Sequence, residues 1–490
     1  MQNRRGFLKA GAAAAGLTTN APAASGKMIG IQVGAVSFVD EGTVKVLDLF
    51  QERAAINTLF LATFTYGRGI AGRQVPGQPL PDHGKQEYDL DYHGGNYGAV
   101  HAQYYKDIGL KPEDTRAPDH GNLDIIAEVL PKAKKRGMRT ILWTEDVWRY
   151  DLAGIEKLQE VDLYGKKAQR MCVNNPYHRN FLLGLVEDYT RSYDIDGIMW
   201  GSERHGALGT ALGASHGGRG SNPASVGCFC EFCEKKARQQ GIVRIERVKK
   251  GYRALEQYVR AARSGKRPVD GHYVTFWRIL MKYPEILAWE QFWHDGLREI
   301  YARMRDKARA IKPNVQVGWH IWHNNSFSPF YRAQQDLKEL AKCSDFLKMV
   351  MYHNCGGERM AGYIDSVVGT IHGDLPKQEA LDFEYRTMDY RERAYEQIPY
   401  TGLSADYVYR EAKRAMEGAA GTSVLVWPGI DIDIPTGKNQ SKSTRQGTKD
   451  AVLAAFRAGA HGVILSRKYS EMMLANLSGA GDAVRELKLA

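Results

Sequence analysis

The sequence predicts an α/β fold, a (β/α)8 TIM barrel with long βα-loop insertions, and three observations predict it. Eight short apolar runs, each separated from the next by a longer amphipathic stretch, extend from residue 28 to residue 470, the pattern of parallel strands joined by crossover helices. Most runs are preceded by a polar helix ending in Gly, Asn or Asp, as in "LPKAKKRG" before the third and "AVLAAFRAGA" before the eighth. No Gly-rich phosphate loop follows the first run, which sets aside an open doubly wound sheet.

The strands are expected at residues 28–38, 56–66, 138–148, 195–203, 314–323, 346–354, 422–434 and 461–470. Three excursions interrupt the repeat. Residues 67–122 are rich in Gly, Pro, His and Tyr and predict a long irregular loop, a feature that usually serves function. Residues 205–312 hold a cysteine cluster followed by long helices, and residues 375–420 a helix-rich insertion.

The amino terminus, "MQNRRGFLKAGAAAAGLTTNAPAASGK", carries Arg4 and Arg5, an Ala-rich apolar stretch and an Ala-Pro-Ala segment. It resembles a twin-arginine export signal over residues 1–24, with the mature barrel occupying residues 25–490. The expected location is therefore the periplasm or the exterior, with no membrane partner after cleavage. The formal charge of +11 drops to +8 once Arg4, Arg5 and Lys9 are removed with the signal. The basic runs "KAKKRG" and "RVKKGYRALEQYVRAARSGKRP" have apolar residues at helical spacing, so they read as solvated helix faces and no nucleic-acid partner is expected. A basic surface leaves an acidic polymer as an attractive partner.

Residues 228–233 read "CFCEFC". Thiols at i, i+2 and i+5 are too tightly tethered for relaxed disulfides among themselves. They can wrap a tetrahedral metal if a fourth ligand arrives, and Cys172 in "MCVNNPYHRNF" is the candidate. A Cys172 disulfide to the cluster, or free thiols, are the alternatives.

The stretch "CVNNPYHRNFLLGLVEDYTRSYDIDGIMWGSERHGALG", followed by "CFCEFCEKKARQQG", resembles the middle of family 42 β-galactosidases and related glycoside-hydrolase-like barrels. The resemblance implies a structural zinc, one per chain, on Cys172, Cys228, Cys230 and Cys233, and Glu203 as the acid/base catalyst. Barrels of that family often form oligomers, which makes a homo-oligomer an expectation here. Two departures stand out: Ser202 precedes Glu203 where that family has Asn, and the seventh strand runs into "WPGIDIDIP" with no glutamate at its end. The resemblance thus implies a carbohydrate-active barrel and leaves the sugar open.

Glycoside hydrolysis needs two carboxyl groups astride the scissile bond, one of them holding a proton near neutrality. Glu203, ending the fourth strand beside Trp200 and Arg204, is the expected proton donor. Asp431 is the first choice for the second carboxylate, with Glu471 and Glu145 (or Asp146) as rivals; a capping role competes for Asp433. Asp431 shares a strand face with Trp427, a candidate sugar platform. His320 and Trp322 on the fifth strand, Tyr352 and His353 on the sixth, and Lys468 and Tyr469 on the eighth complete the candidate substrate site, because barrel enzymes build their sites from strand ends. His320 and His323 mimic a metal spacing but diverge on a strand. Arg204, Arg467 and Lys468 would suit a carboxylated or sulfated sugar.

The sequence therefore reads as an exported glycosidase acting on an oligo- or polysaccharide. The alternatives are a lyase for acidic glycans using Tyr352 or Tyr469, and a carbohydrate-binding barrel without catalysis.

Overall fold

The computed structural model describes residues 26–489, and the expected export signal lies outside them. Eight parallel strands form the core: β1 (Met28–Val33), β2 (Thr58–Thr65), β3 (Arg139–Glu145), β4 (Gly197–Gly201), β5 (Gln316–Ile321), β6 (Phe346–Val350), β7 (Leu425–Asp431) and β8 (Gly462–Ser466). Each pairs with its successor, and β1 pairs with both β2 and β8, so the sheet closes on itself. All eight expected strands are present, each shorter than its apolar run, most of them at both ends because the run continues into the flanking loops.

Closure explains the near-continuous apolar character of these segments. One face of every strand fills the barrel and the other is covered by helices, so both must be apolar. The interior is visible where strands that are not neighbours touch: Phe60 of β2 meets Phe346 of β6 and Trp427 of β7 at centroid distances of 6.3 and 6.0 Å. The outer layer is visible where strands meet helices. Tyr301, on the helix Glu285–Ile311, stacks on Trp319 at 3.9 Å and meets Trp200 edge-on at 5.3 Å.

The loop after β2 is held in two ways. Arg73 bridges Asp40 (2.6 Å) and Asp89 (2.5 Å), and a two-residue strand, Gly95–Asn96, pairs antiparallel with the end of β2. After β4 come the helices Ala207–Leu212, Glu231–Gln239, Ile245–Arg263 and His272–Lys282. The more basic run forms the Ile245–Arg263 helix, burying Val248, Tyr252, Leu255 and Val259, while Lys249 and Arg260 pair with Glu234 and Glu256. Among the described residues, no helix is long and apolar enough to cross a membrane.

Candidate active site

Two glutamates meet at the carboxyl end of the barrel. Glu145 is the last residue of β3 and lies in register with Gly201 at the end of β4; Glu203 follows two residues later. Gly201 makes this approach possible, since a Cβ there would lie 2.7 Å from both Glu145 carboxylate oxygens. Only a residue without a side chain lets β4 pass so close to that group.

The two carboxyl groups have opposite environments. Glu145 is 5% exposed and accepts a hydrogen bond from Trp143 Nε1 at 2.5 Å. Burial first, and then the neighbouring charge of Glu203, push it up to about 8, so it is protonated at neutral pH. The Glu203 side chain, by contrast, is 45% exposed at the barrel mouth. Burial alone would raise it, but His320, at 2.8 Å through Nε2, and the cation of Arg359 outweigh burial and hold it well below the ordinary carboxylate range. His320 is itself pushed below its usual value by burial and by Lys348. It therefore acts at neutral pH as an uncharged imidazole donating its Nε2 hydrogen to Glu203.

Three further groups shape this mouth. Lys348, on β6, reaches across the barrel interior to Gln32 of β1 (2.5 Å) and to the Tyr352 hydroxyl (3.1 Å), and burial brings it down to about 7. Arg359, early in the helix Gly356–Val368, lies over the Tyr352 ring at 5.7 Å and donates to His323 Nδ1 at 3.0 Å. Trp322 forms an aromatic wall with His205, His216 and Tyr331 at centroid distances of 4.7, 5.4 and 5.6 Å. Burial lowers His216 to about 3 and His205 to about 4, so both are neutral.

Of the residues expected in the site, Glu203, Glu145, His320, Trp322 and Tyr352 are brought together. The others are committed elsewhere. Asp431 is fully buried and accepts the amide hydrogens of His353, Asn354 and Cys355 (2.8, 3.2 and 3.0 Å) while pairing with the His353 ring at 2.8 Å; it ties down the loop after β6 and cannot face a sugar. His353 is buried, with Nδ1 turned to Asp431. Asp433 takes the capping role, accepting from Met473 N at 2.8 Å ahead of the helix Leu474–Glu486. Trp427 stacks on Phe346 at 4.2 Å inside the barrel and is no sugar platform, and Trp200 faces the helix layer.

Arg204 is likewise turned away from the mouth, pairing with Asp146 at 2.9 Å and donating to the Met171 carbonyl at 2.6 Å. Lys468 donates to the carbonyls of Arg68, Gly72 and Arg73, which fastens the long loop after β2. Tyr469 stacks on His83 at 4.1 Å, and Glu471 pairs with Arg467.

The sequence reading missed Lys348, Arg359 and His216. A signal existed for the first: a lysine inside "FLKMVM" has to find partners within the barrel. Arg359 and His216 come from long loops and helices with no local pattern that marks them.

The four cysteines converge. Cys172, Cys228, Cys230 and Cys233 are buried, with all sulfurs within 4.8 Å of one another and Cys172 Sγ at 3.7 and 3.4 Å from those of Cys230 and Cys233. Tetrahedral zinc with bonds of about 2.3 Å would space its sulfurs about 3.8 Å apart, so the donor set fits such an ion. The cluster adjoins the loop that carries Glu203: the Met171 carbonyl that receives Arg204 immediately precedes Cys172, and Arg204 immediately follows Glu203.

No protein-family model matches the sequence, and no curated protein matches it. Solved structures share its fold. They include a β-galactosidase from the Antarctic haloarchaeon Halorubrum lacusprofundi (TM-score 0.52, 13% identity, covering 94% of this chain and 58% of that one). A β-galactosidase from Rahnella sp. R3 aligns with a TM-score of 0.51 and 12% identity over 96% of this chain and 57% of that one. A GH42 β-galactosidase from G. stearothermophilus aligns with a TM-score of 0.50 and 11% identity over 94% and 57%. The chain thus spans under two thirds of these structures, and what it shares with them is the barrel.

Proposed function

We propose that this chain is a glycoside hydrolase that cleaves a bond of an oligo- or polysaccharide at the barrel mouth. One observation carries the reading. Two rim glutamates from adjacent strands stand in opposite environments, Glu145 pushed up by burial and by the charge of Glu203, and Glu203 held low against burial by His320 and Arg359. Hydrolysis at an anomeric centre requires such a division. The donor role expected of Glu203 accordingly passes to Glu145. The fold shared with solved glycosidases supports the same reading.

In the proposed reaction Glu145 gives its proton to the glycosidic oxygen as the bond from that oxygen to the anomeric carbon breaks. Glu203 stabilises the positive charge developing on the sugar. Water then supplies hydroxyl to the anomeric carbon, and its remaining proton restores Glu145. His320 orients Glu203, and the Trp322 wall offers a surface for the sugar ring.

A zinc ion on Cys172, Cys228, Cys230 and Cys233 would act structurally, bracing the loop that carries Glu203 through Arg204 and Met171. Export by the twin-arginine route, which the amino-terminal sequence supports, would deliver the folded protein to the periplasm or beyond. The lyase alternative is weakened at both tyrosines. Burial pushes the Tyr352 phenol far above its ordinary value, and Tyr469 is buried against His83 and Glu41.

The test is a panel of neutral and acidic oligosaccharides offered to wild type and to Glu203→Gln. Release of reducing ends by wild type, lost in the variant while binding persists, is the expected result. Equal activity in both proteins removes Glu203 from the mechanism, and an unsaturated, ultraviolet-absorbing product identifies a lyase.

A further inference from the structure

Among the described residues, Arg359 is a charge that the fold leaves without a contacting anion. It is half-buried at the mouth that holds Glu203, yet among the described residues no carboxylate lies within ion-pair distance of it. Its protein partners are the face of Tyr352 and the Nδ1 atom of His323. His323 does not neutralise it: the other ring nitrogen faces the Tyr407 hydroxyl at 3.1 Å, and burial together with Arg359 keeps the imidazole uncharged. Among the described residues, Nε and Nη2 of Arg359 meet no acceptor. Comparable guanidiniums in this chain are matched, Arg204 by Asp146 and Arg332 by Glu411.

The surroundings add positive charge. Arg467, at the end of β8, is near enough to repel Arg359 electrostatically. It gives Nε and Nη2 to Glu471 and remains 23% exposed, with Nη1 beside Gly69 of the β2 loop. Lys348 lies over the same Tyr352 ring at 5.6 Å. Glu203 is the nearby anion, already engaged by His320. Glu203 acts on Arg359 only at a distance, and no anion contacts the guanidinium itself; a half-buried guanidinium edge left unfilled is costly, and a ligand anion can fill it.

We propose that the sugar bound at this mouth carries a fixed negative group, a carboxylate or a sulfate ester, received by the free edge of Arg359 with Arg467 nearby. The inference rests on the carbohydrate reading above and narrows its substrate class. A planar guanidinium edge matches either oxyanion with two parallel hydrogen bonds. It also transfers the anion-binding role from Arg204 and Lys468, which the fold consumes, to a residue on a different element.

The experiment uses two matched pairs, a uronate-containing oligosaccharide with its carboxyl-reduced form and a sulfated one with its desulfated form. Specificity constants are measured for wild type, Arg359→Gln and Arg359→Lys, with thermal melts to confirm folding. Wild type is expected to favour the acidic member of one pair by about tenfold or more, mainly through KM, and to lose that preference as salt is raised. The responding pair identifies the anion. Arg359→Gln should bring the ratio towards one, and Arg359→Lys should restore part of it. A wild-type ratio of one or less in both pairs overturns the proposal whatever the variants do, and leaves hydrolysis standing if the neutral members are cleaved.

Should no member be cleaved, calorimetric binding to wild type decides the matter separately. Acidic preference abolished in Arg359→Gln upholds the anion site while the hydrolase reading fails. Absence of binding by every acidic member overturns the anion site as well.

Discussion

Replacing Glu145 by glutamine keeps the shape of the side chain and removes one proton equilibrium, and the structure sets the size of the consequence. Displacing Glu145 from its ordinary 4.5 to about 8, at about 1.4 kcal/mol per pH unit, amounts to about 5 kcal/mol. The sign is opposite to that of a salt-bridged carboxylate. Between pH 4.5 and 8 the folded protein keeps this proton and the unfolded chain releases it, so wild-type stability falls as pH rises through that window. The glutamine variant carries no such term. Its stability relative to wild type should therefore grow by about 3–5 kcal/mol between pH 4 and pH 9, the lower figure allowing for the opposing influence of Lys348. Denaturant unfolding of both proteins across that range measures the difference. At neutral pH the same variant should lose about 10²–10⁴ in kcat as its general acid disappears. Parallel stability curves for the two proteins would refute a protonated Glu145.

Three other outcomes follow from the same geometry. His320→Ala removes the hydrogen bond that favours the Glu203 anion, so the acid limb of the kcat/KM profile should move to higher pH by about one unit; an unmoved limb would show that His320 does not tune this carboxylate. Cys172→Ser or chelation should abolish binding of zinc, measured per chain, and lower the melting temperature, since free metal at about a thousand times its Kd contributes about 4 kcal/mol; metal-free protein of unchanged stability would contradict the clamp. Trp427→Ala should cost about 3–5 kcal/mol of unfolding free energy, because Trp427 packs on Phe346 and Phe60. A selective loss of sugar binding at full stability would return Trp427 to the site.

The barrel was legible because each strand is apolar on both faces, a pattern that survives long insertions. The rim was only partly legible. Glu203 and Glu145 were in reach as acids at the ends of strands, but their protonation depends on residues from β5, β6 and a later helix that no local pattern connects. Facing was the commonest source of error. Trp200 and Trp427 lie near strand ends, yet one faces the helix layer and the other the deep interior. Polar residues just past the strands suffered a different confusion, since loops as long as that after β2 need fastening. Lys468 and Asp431 fasten loops with charged side chains that look catalytic in sequence. The cysteines were legible because their spacing restricts what they can do, and only the convergence of Cys172 required coordinates.

An infrared difference spectrum between wild type and Glu145→Gln at pH 6 to 7 reads the division of charge directly. Wild type is expected to show a protonated carboxylic C=O band that vanishes in the variant, while Glu203→Gln removes only carboxylate absorption. Carboxylate bands alone in both difference spectra would contradict that division.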